Sequence, residues 1–349
     1  MTDYRQLLSN IQVRHNPEKQ FLVESRMFSG LPAYSNDIQR YVYLAMMAVD
    51  DNYTSKTKDA GQRVKEHLQN GGLLNVSYHY QGSVMTDTHI KGHSDIDLLV
   101  VCNKYYTYDA LNVQRILTTP SNYTYSQLSK LRSVVEREAY KGRCVEDLRE
   151  IRLKSESILR WHYAKCDTTH PKAIKITNQS LHRDVDIVAA GWYDDVTSIL
   201  NDQDITYRGI QVYDKDAHEL CSADYPFMSI ERINSRSSDT GGRLKRMIRF
   251  LKNVKVDSKN SIDLSSFDIN AICYNIAPYK YDGLHYLELV SIVRDQLYKI
   301  VSDESYANNM LSVDGKEYIF KGNNKRAEVV KIYQDVYTIY SILKTQNLL

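Results

Sequence analysis

Short apolar runs and their flanking turns predict the strands of this chain. A first strand is predicted over 73–80 (LLNVSYHY), directly after the Gly71-Gly72 break. A second is predicted over 95–101 (DIDLLVV), where two acids are followed by a continuous apolar run. Three more segments have strand character: 173–177, 183–190 and 207–213. Polar residues separate the first two of these segments. These segments predict a mixed sheet.

A long helical pattern precedes the first strand. It follows an amphipathic stretch within residues 1–35 and a break at Gly30-Leu31-Pro32, and it begins at the good helix caps Ser35 and Asn36. It continues to about Asn70, so a single helix would extend for roughly 50 Å. Such a helix would suit either a spine that bridges two lobes or a helix packed inside one domain.

Helical patterns also follow the sheet. One region is predicted from about Tyr125 to Ala164, and helices dominate after Pro226. The expected organisation is therefore α+β and bilobal. A catalytic lobe with a mixed sheet and the N-terminal spine helix would occupy residues 1–225, and a C-terminal α-helical lobe residues 226–349, with substrate in the cleft between them.

The turn after the first strand carries the first candidate chemistry. Gln81 is followed by Gly82, where the missing Cβ lets backbone N–H groups approach phosphate oxygens. Ser83 adds a hydroxyl and is expected to open a short helix, whose N-terminus would favour an anion. A turn of this kind can hold a triphosphate.

The second strand begins with paired acids. Asp95 and Asp97 are two residues apart, so on a strand they share one face while Ile96 faces the core. Two such carboxylates suit two Mg²⁺ ions (or Mn²⁺) shared with substrate phosphates. Taken singly, an ordinary turn and a solvated strand start explain these motifs equally well. Their combination in this order predicts a metal-dependent nucleotidyltransferase.

A third carboxylate is expected in the segment LHRDVDIVAA. Asp186 directly precedes its apolar run, as Asp97 does in the earlier strand, and is therefore chosen as the third metal ligand. Asp184 shares the same strand face and is the alternative. His89, His93 and His182 lie nearby, but Mg²⁺ prefers oxygen ligands, so these histidines are interpreted as packing or substrate-side groups.

The motifs Q-G-S, S-D-I-D and the distant V-D-I-V resemble the DNA polymerase β superfamily. They look in particular like its bacterial members related to cyclic GMP–AMP synthase, the CD-NTases. The resemblance covers about residues 36–275. It implies that Lys252, on the helix RLKRMIRFLK, and Ser266 bind the donor triphosphate, with Phe267 as a base-stacking ring. Ala189-Ala190 departs from the family, where many relatives have a proline.

The helix that carries Lys252 has a second interpretation. Lys245, Arg249 and Lys252 form one stripe at helical spacing, while the apolar residues take another face. The stripe would neutralise a triphosphate, or it is a solvated charged face.

Composition narrows the function classes. Hydrophobic residues make up 42% of the 349 and charged residues 25%, as in a soluble globular protein. The net charge of +2 excludes a strongly basic nucleic-acid coat, so no obligatory nucleic acid is expected. Five cysteines without C-x-x-C spacing indicate reduced thiols. With no signal-peptide pattern and no long apolar run, a cytoplasmic protein without a membrane partner is expected.

The expected reaction is attack of a ribose hydroxyl on the α-phosphorus of a nucleoside triphosphate, with release of pyrophosphate. Asp95, Asp97 and Asp186 would hold one Mg²⁺ beside the attacking hydroxyl, and Asp95 and Asp97 a second beside the leaving group. The resemblance implies two such steps, at least one purine substrate, and a cyclic second messenger read by a separate anti-phage effector. The alternatives are a related transferase acting on RNA, protein or a small molecule, and an inactive nucleotide sensor.

Overall fold

The computed structural model describes residues 4–15, 37–92 and 96–349. Its strands are β1 (Val76–Gln81), β2 (Ile96–Tyr108), β3 (Cys166–Asp167), β4 (Ile174–Asn178), β5 (Arg183–Asp194), β6 (Gly209–Asp214) and β7 (Glu219–Asp224). Its helices are α1 (Tyr4–His15), α2 (Asp37–Met46), α3 (Asp51–Asn70), α4 (Ala110–Thr118), α5 (Tyr125–Val135), α6 (Cys144–His162), α7 (Val196–Leu200), α8 (Pro226–Asp239), α9 (Arg243–Asp257), α10 (Ser266–Tyr274), α11 (Glu288–Ser302), α12 (Glu304–Asn308) and α13 (Lys325–Thr345).

All seven strands belong to one sheet, with the order β1-β2-β5-β4-β3, and β6 and β7 continue from β5. β2 and β5 are parallel, whereas the other strand pairs are antiparallel. β5 pairs with β4 through its first half and with β6 through its second half. The mixed sheet and the α+β class predicted from the sequence are confirmed.

The centre of the sheet is apolar on both faces. On one face, Leu98 and Ile187 belong to a buried cluster that includes residues of α3 and α6. On the other face, Leu99 and Val188 belong to a smaller cluster. A strand that is buried on both sides is expected to be continuously apolar, which is the pattern of β2 and β5 after their acids.

The described residues divide into two compact units. One contains residues 51–85 and 96–231, and the other contains residues 4–15, 37–50, 86–92 and 232–349. This division differs from the predicted boundary at 225/226 and assigns the N-terminal segment to the helical unit. The reason is packing, because Ile38, Tyr41 and Val42 of α2 belong to the same buried core as Ile248 and Leu251 of α9.

The predicted single spine helix is wrong, because α2 ends at Met46 and α3 begins at Asp51. The last carbonyls of α2 are bound by side chains of α9. The Arg249 guanidinium donates to Met46 O at 2.9 Å, and the Asn253 amide donates to Ala45 O at 3.0 Å. Carbonyls at a helix end need such partners. Asp51 then lies in the first turn of α3, where a negative charge is favourable.

The helical region predicted from Tyr125 to Ala164 is also divided, into α5 and α6. The intervening residues, 136–143 (EREAYKGR), are exposed and polar and include Gly142. Apart from the Tyr140 ring, which packs against Tyr105 of β2, they offer no apolar face to the sheet, so burial does not stabilise a continuous helix there.

The structure also bears on two expectations drawn from the composition, those for the cysteines and for membrane-spanning segments. All five cysteines are free thiols in the structure, as predicted. None of the helices in the described part of the chain is both long and apolar enough to cross a membrane.

Candidate active site

One row of the sheet brings together three of the predicted residues. Asp97 of β2 lies opposite Gln81 of β1 on one side and opposite Asp186 of β5 on the other. Neighbouring strands are about 4.8 Å apart, so the two carboxylates are direct neighbours. Residues that are far apart in the sequence thus meet where two parallel strands begin.

The two acids also share a face of the sheet. Asp97 has the parity of Leu99, and Asp186 has the parity of Val188, and both apolar residues belong to the cluster opposite α3 and α6. Side chains alternate between faces along a strand. Both carboxylates are half-buried, so they combine partial shielding with access to a ligand.

Gly82 lies directly against Asp97. Its φ is +86°, in the left-handed region that favours glycine, and a Cβ there would overlap Oδ2 of Asp97. The backbone of the turn therefore approaches the carboxylate more closely than any other residue would allow. The Met85 amide donates to Gly82 O at 3.2 Å, which closes the turn.

The short helix predicted from Ser83 is not formed. Residues 83–87 are consecutive turns, and Asp87 has a φ of +51°, which is incompatible with a continuing right-handed helix. The anion-binding contribution expected from a helix N-terminus is therefore lost. The features of this turn that could still bind a phosphate are the backbone at Gly82, which has no Cβ, and the Ser83 hydroxyl.

Asp186 has one engaged and one unengaged carboxylate oxygen. Lys175 of β4 lies opposite it, and the Lys175 ammonium is 3.2 Å from Asp186 Oδ2. Asp186 Oδ1 is buried and has no hydrogen-bond partner among the described residues. A buried carboxylate oxygen without a partner is costly, so this atom is suited to a ligand. Asp184 is exposed instead.

A cavity of about 480 Å³ adjoins Asp186. Its polar lining comes mainly from β3, β4 and the start of β5 and includes Lys165, Asp167, Lys175, Thr177 and Asp184. The catalytic carboxylate predicted at 186 is therefore reachable by a molecule larger than water.

Asp95, the first predicted ligand, lies outside the described residues, as does His93. Within the described ranges there is no group of three or more His, Cys, Asp or Glu residues that could hold a metal ion. The pair Asp97 and Asp186 nevertheless fits magnesium, since adjacent carboxylates are its preferred ligands and one buried oxygen awaits a partner.

The basic stripe of α9 contacts Asp87 and Thr88. Arg249 donates to Asp87 O at 2.6 Å, and the Lys252 ammonium is 3.4 Å from Thr88 Oγ1. Arg249 and Lys252 are 6% and 5% exposed, so they do not form a solvated face. Lys245 is half-buried. Arg249 and Lys252 are therefore part of the packed interior of this unit.

Burial changes the charge of the stripe. It lowers the pKa of Lys252 to about 7, an effect that the neighbouring Arg249 and Lys255 reinforce and the Cys273 thiol opposes. Burial also lowers the pKa of Arg249 to about 10 and that of Lys245. Lys252 is thus the group whose charge is most easily changed by a bound anion.

The two neighbouring serines at the start of α10 have different roles. Ser265 is the N-cap residue and exchanges hydrogen bonds with Asp268. Ser266 is exposed at the first helical position, which leaves it as the better candidate for a ligand. Phe267 packs partly against the core of this unit.

Two of the three predicted histidines, His89 and His182, belong to the described residues. His89 is buried at 1% exposure, which agrees with a packing role, and His182 is exposed. Sequence reasoning missed Lys175, although a signal was present. In the strand AIKITN the lysine is flanked by two isoleucines that face the core, so it must face the opposite side with Asp186.

Residues 231–341 match the model of the cGAS/DncV-like nucleotidyltransferase C-terminal helical domain. A c-di-GMP synthase of Lachnospiraceae bacterium (strain RUG226) is 46% identical and matches over 98% of this chain and 99% of its own. A c-di-GMP synthase of Capnocytophaga granulosa is 49% identical, with 98% of each chain covered.

Among solved structures, the STING-associated CdnE c-di-GMP synthase of Flavobacteriaceae sp. superposes with a TM-score of 0.87. It is 35% identical, and the match covers 99% of both chains. Similarity therefore extends over the whole length of these proteins.

Proposed function

Because the chain belongs to the cGAS/DncV-like nucleotidyltransferases, we propose that it joins two molecules of GTP into cyclic di-GMP and releases two molecules of pyrophosphate. Its similarity over nearly the whole chain to cyclic dinucleotide synthases makes it a nucleotidyltransferase that forms a cyclic dinucleotide. The choice of guanine rests on three relatives, 36–49% identical, each named as a c-di-GMP synthase. The product would be read by a separate effector in anti-phage signalling, and the STING association named for two solved relatives suggests the kind of effector.

The observation that carries the proposal is the pairing of Asp97 with Asp186 across two parallel strands. These carboxylates, with Asp95, would hold magnesium. Bound magnesium would neutralise phosphate charge and make the ribose hydroxyl more acidic. The unengaged Oδ1 of Asp186 is the oxygen available on this residue for that role.

The other side chains would bind and orient the donor. The Gly82 turn presents backbone to phosphate beside Asp97, and Ser83 adds a hydroxyl. Lys252 and Ser266 would contribute an ammonium and a hydroxyl to the triphosphate. Recovery of a positive charge on Lys252 when the anion binds would neutralise the phosphate charge, which is the main contribution a protein makes to phosphoryl-type transfer.

The chemistry balances in two equivalent steps. A ribose hydroxyl of one GTP attacks the α-phosphorus of the other, an O–P bond to pyrophosphate breaks, and the hydroxyl proton is lost to solvent. The remaining hydroxyl of the linear product then attacks the remaining α-phosphorus and closes the ring. Asp186 would accept the hydrogen bond of the attacking hydroxyl in each step.

The test is product analysis with GTP alone and with all four nucleoside triphosphates, in the presence of Mg²⁺. After phosphatase treatment, mass spectrometry should find cyclic di-GMP with GTP alone, and none with Asp97→Asn. A resistant product that requires ATP, CTP or UTP would overturn the choice of guanine. Label transferred only to a protein or RNA would overturn cyclisation.

A further inference from the structure

A second and larger cavity lies far from the carboxylates. It has a volume of about 770 Å³ and lies where β2 ends, beneath the loop 136–143. Along β2, Tyr105 is eight residues beyond Asp97, or about 26 Å at 3.3 Å per residue. The cavity therefore cannot be an extension of the catalytic row, and the proposed reaction makes no use of it.

Aromatic side chains are the largest group in the lining. Five contribute to it: Tyr105, Tyr106, Tyr108, Tyr140 and Trp192. Tyr105 and Trp192 are almost fully buried and form its inner wall, whereas Tyr140 is 40% exposed and lies at the rim. Such a surface suits a flat ring, because aromatic side chains stack on the bases of nucleotides irrespective of their sequence.

Two guanidinium groups flank one of these rings. The Arg137 and Arg208 guanidinium carbons are 5.3 and 5.9 Å from the centre of the Tyr106 ring. Arg208 also lies 4.3 Å from the Trp192 ring centre. Cations stacked on aromatic rings in this way provide both charge and a flat surface.

The charges of the lining are unequally compensated. Arg208 is paired with the buried Asp194, and Lys104 is paired with Asp147 at 2.7 Å. Glu138 also lines the cavity, and its charge is compensated by Lys141. Arg137 has no acidic partner among the described residues, and it donates to the Tyr106 hydroxyl at 2.5 Å. A positive charge thus remains at the rim of an aromatic cavity.

The inner wall is rigidly held. Asp194 is fully buried and accepts from Arg208 at 2.9 Å through both of its oxygens. It also accepts from Ser198 and Gln203. The Trp192 indole donates to Asn103 at 3.1 Å. A pre-formed wall reduces the entropy lost on binding.

We propose that this cavity is a second nucleotide site, in which a phosphate group binds Arg137 and a purine ring stacks on the tyrosines. Its volume is in the range of sites that take small organic ligands. GTP and cyclic di-GMP share the required chemistry. Binding of GTP would make the site a substrate sensor, and binding of cyclic di-GMP would make it a product sensor.

The chain offers an internal reporter for this site. It contains two tryptophans, and Trp161 is 86% exposed, so Trp161→Phe leaves Trp192 as the single emitter without disturbing the core. In this background, Asp97→Asn prevents turnover. GTP, cyclic di-GMP, guanosine and pyrophosphate are titrated separately in EDTA, and tryptophan emission is recorded.

At least one of GTP and cyclic di-GMP should change the Trp192 emission saturably below about 1 mM. Guanosine and pyrophosphate, which have only half of the required chemistry, should bind at least about tenfold more weakly. Arg137→Gln should weaken the nucleotide response by about tenfold. The matched control Arg132→Gln removes an exposed charge from α5, outside the cavity lining, and should leave the response unchanged.

Two results would overturn the proposal. One is the absence of a saturable response with both nucleotides. The other is a response that Arg137→Gln and Arg132→Gln affect equally, since this would mean that the emission reports binding elsewhere. Arg137 is exposed, so circular dichroism should show both variants folded. The assay does not depend on which product the enzyme makes, and it can succeed even if the proposed reaction is wrong.

Discussion

The two candidate catalytic carboxylates and the basic stripe of α9 differ in how deeply they are buried. Asp97 and Asp186 are half-buried on the sheet, and one oxygen of Asp186 has no partner among the described residues. Arg249 and Lys252 of α9 are almost fully buried, and burial lowers the pKa of both. Asp186 Oδ1 is therefore open to a ligand, whereas burial favours the neutral form of the Lys252 amine until an anion binds beside it.

The largest expected effect comes from removing a carboxylate. Asp97→Asn and Asp186→Asn should each reduce the rate of product formation by at least about 10²–10³-fold, because a site aimed at developing charge is lost. Asp184→Asn removes an acid two residues away on the same strand, but this side chain is exposed, and the rate should stay within a few fold. Radiolabelled GTP measures all three rates. Equal losses with Asp184→Asn and Asp186→Asn would contradict the assignment.

The next largest loss of activity is expected when Gly82, whose backbone lies against Asp97, gains a side chain. In Gly82→Ala, the new Cβ would overlap Asp97 Oδ2 and displace it, so kcat should fall by about 10²-fold. Gly283→Ala is the matched control, because its φ of +77° imposes similar backbone strain while its Cβ would meet nothing within 4 Å. In both variants the left-handed φ alone should cost about 1–2 kcal/mol of folding free energy. A comparable loss of kcat in both would show that strain, not Asp97, is responsible.

The acid half of the site was predictable because it depends on local rules. Alternation along a strand places Asp97 and Asp186 on one face, and the apolar runs after them fix both strands in the sheet. The same rule could have identified Lys175. The division of the predicted spine helix was not predictable, because Arg249 and Asn253 bind the α2 carbonyls from some two hundred residues away.

The burial of the α9 stripe could not be predicted either, because it also depends on residues that are distant in the sequence. Its helical spacing is visible in the sequence, but a buried stripe and a solvated one have the same spacing. The two are distinguished by Asp87 and Thr88, which contact Arg249 and Lys252. The pKa of Lys252 therefore follows from tertiary structure alone.

Burial of Lys252 should make the binding of GTP depend on pH. The folded-state pKa of Lys252 is about 7, so near pH 8 the free enzyme has a mostly neutral amine. If a triphosphate binds it, the charged form is stabilised, and GTP binding should take up close to one proton near pH 8 and much less near pH 6.

Calorimetry in buffers with different ionisation enthalpies measures this uptake. Lys252→Met should abolish it and weaken GTP binding by about tenfold or more. Lys259→Met, just beyond the end of the same helix, removes an exposed charge that does not act on Lys252 and should preserve the uptake. Undiminished proton uptake in Lys252→Met would show that another group titrates.

The smallest effect is expected at Lys175. Its ammonium pairs with Asp186 but is 44% exposed, so the pair contributes little free energy. Lys175→Met should tighten binding of Mn²⁺ by about two- to threefold, because a competing positive charge is removed. Lys172→Met, three residues earlier, serves as the control. Electron paramagnetic resonance of free Mn²⁺ measures the affinity, and weaker binding in Lys175→Met would indicate that the lysine instead orients Asp186.

The central claim is that Asp97 and Asp186 form one metal-binding pair. The most direct measurement is anomalous diffraction from crystals grown with Mn²⁺ and a non-hydrolysable GTP analogue. We predict an anomalous peak about 2.0–2.2 Å from a carboxylate oxygen of each residue, the distance expected for small divalent ions. A peak that contacts Asp184 in place of Asp186, or that lies away from both strands, would contradict the account.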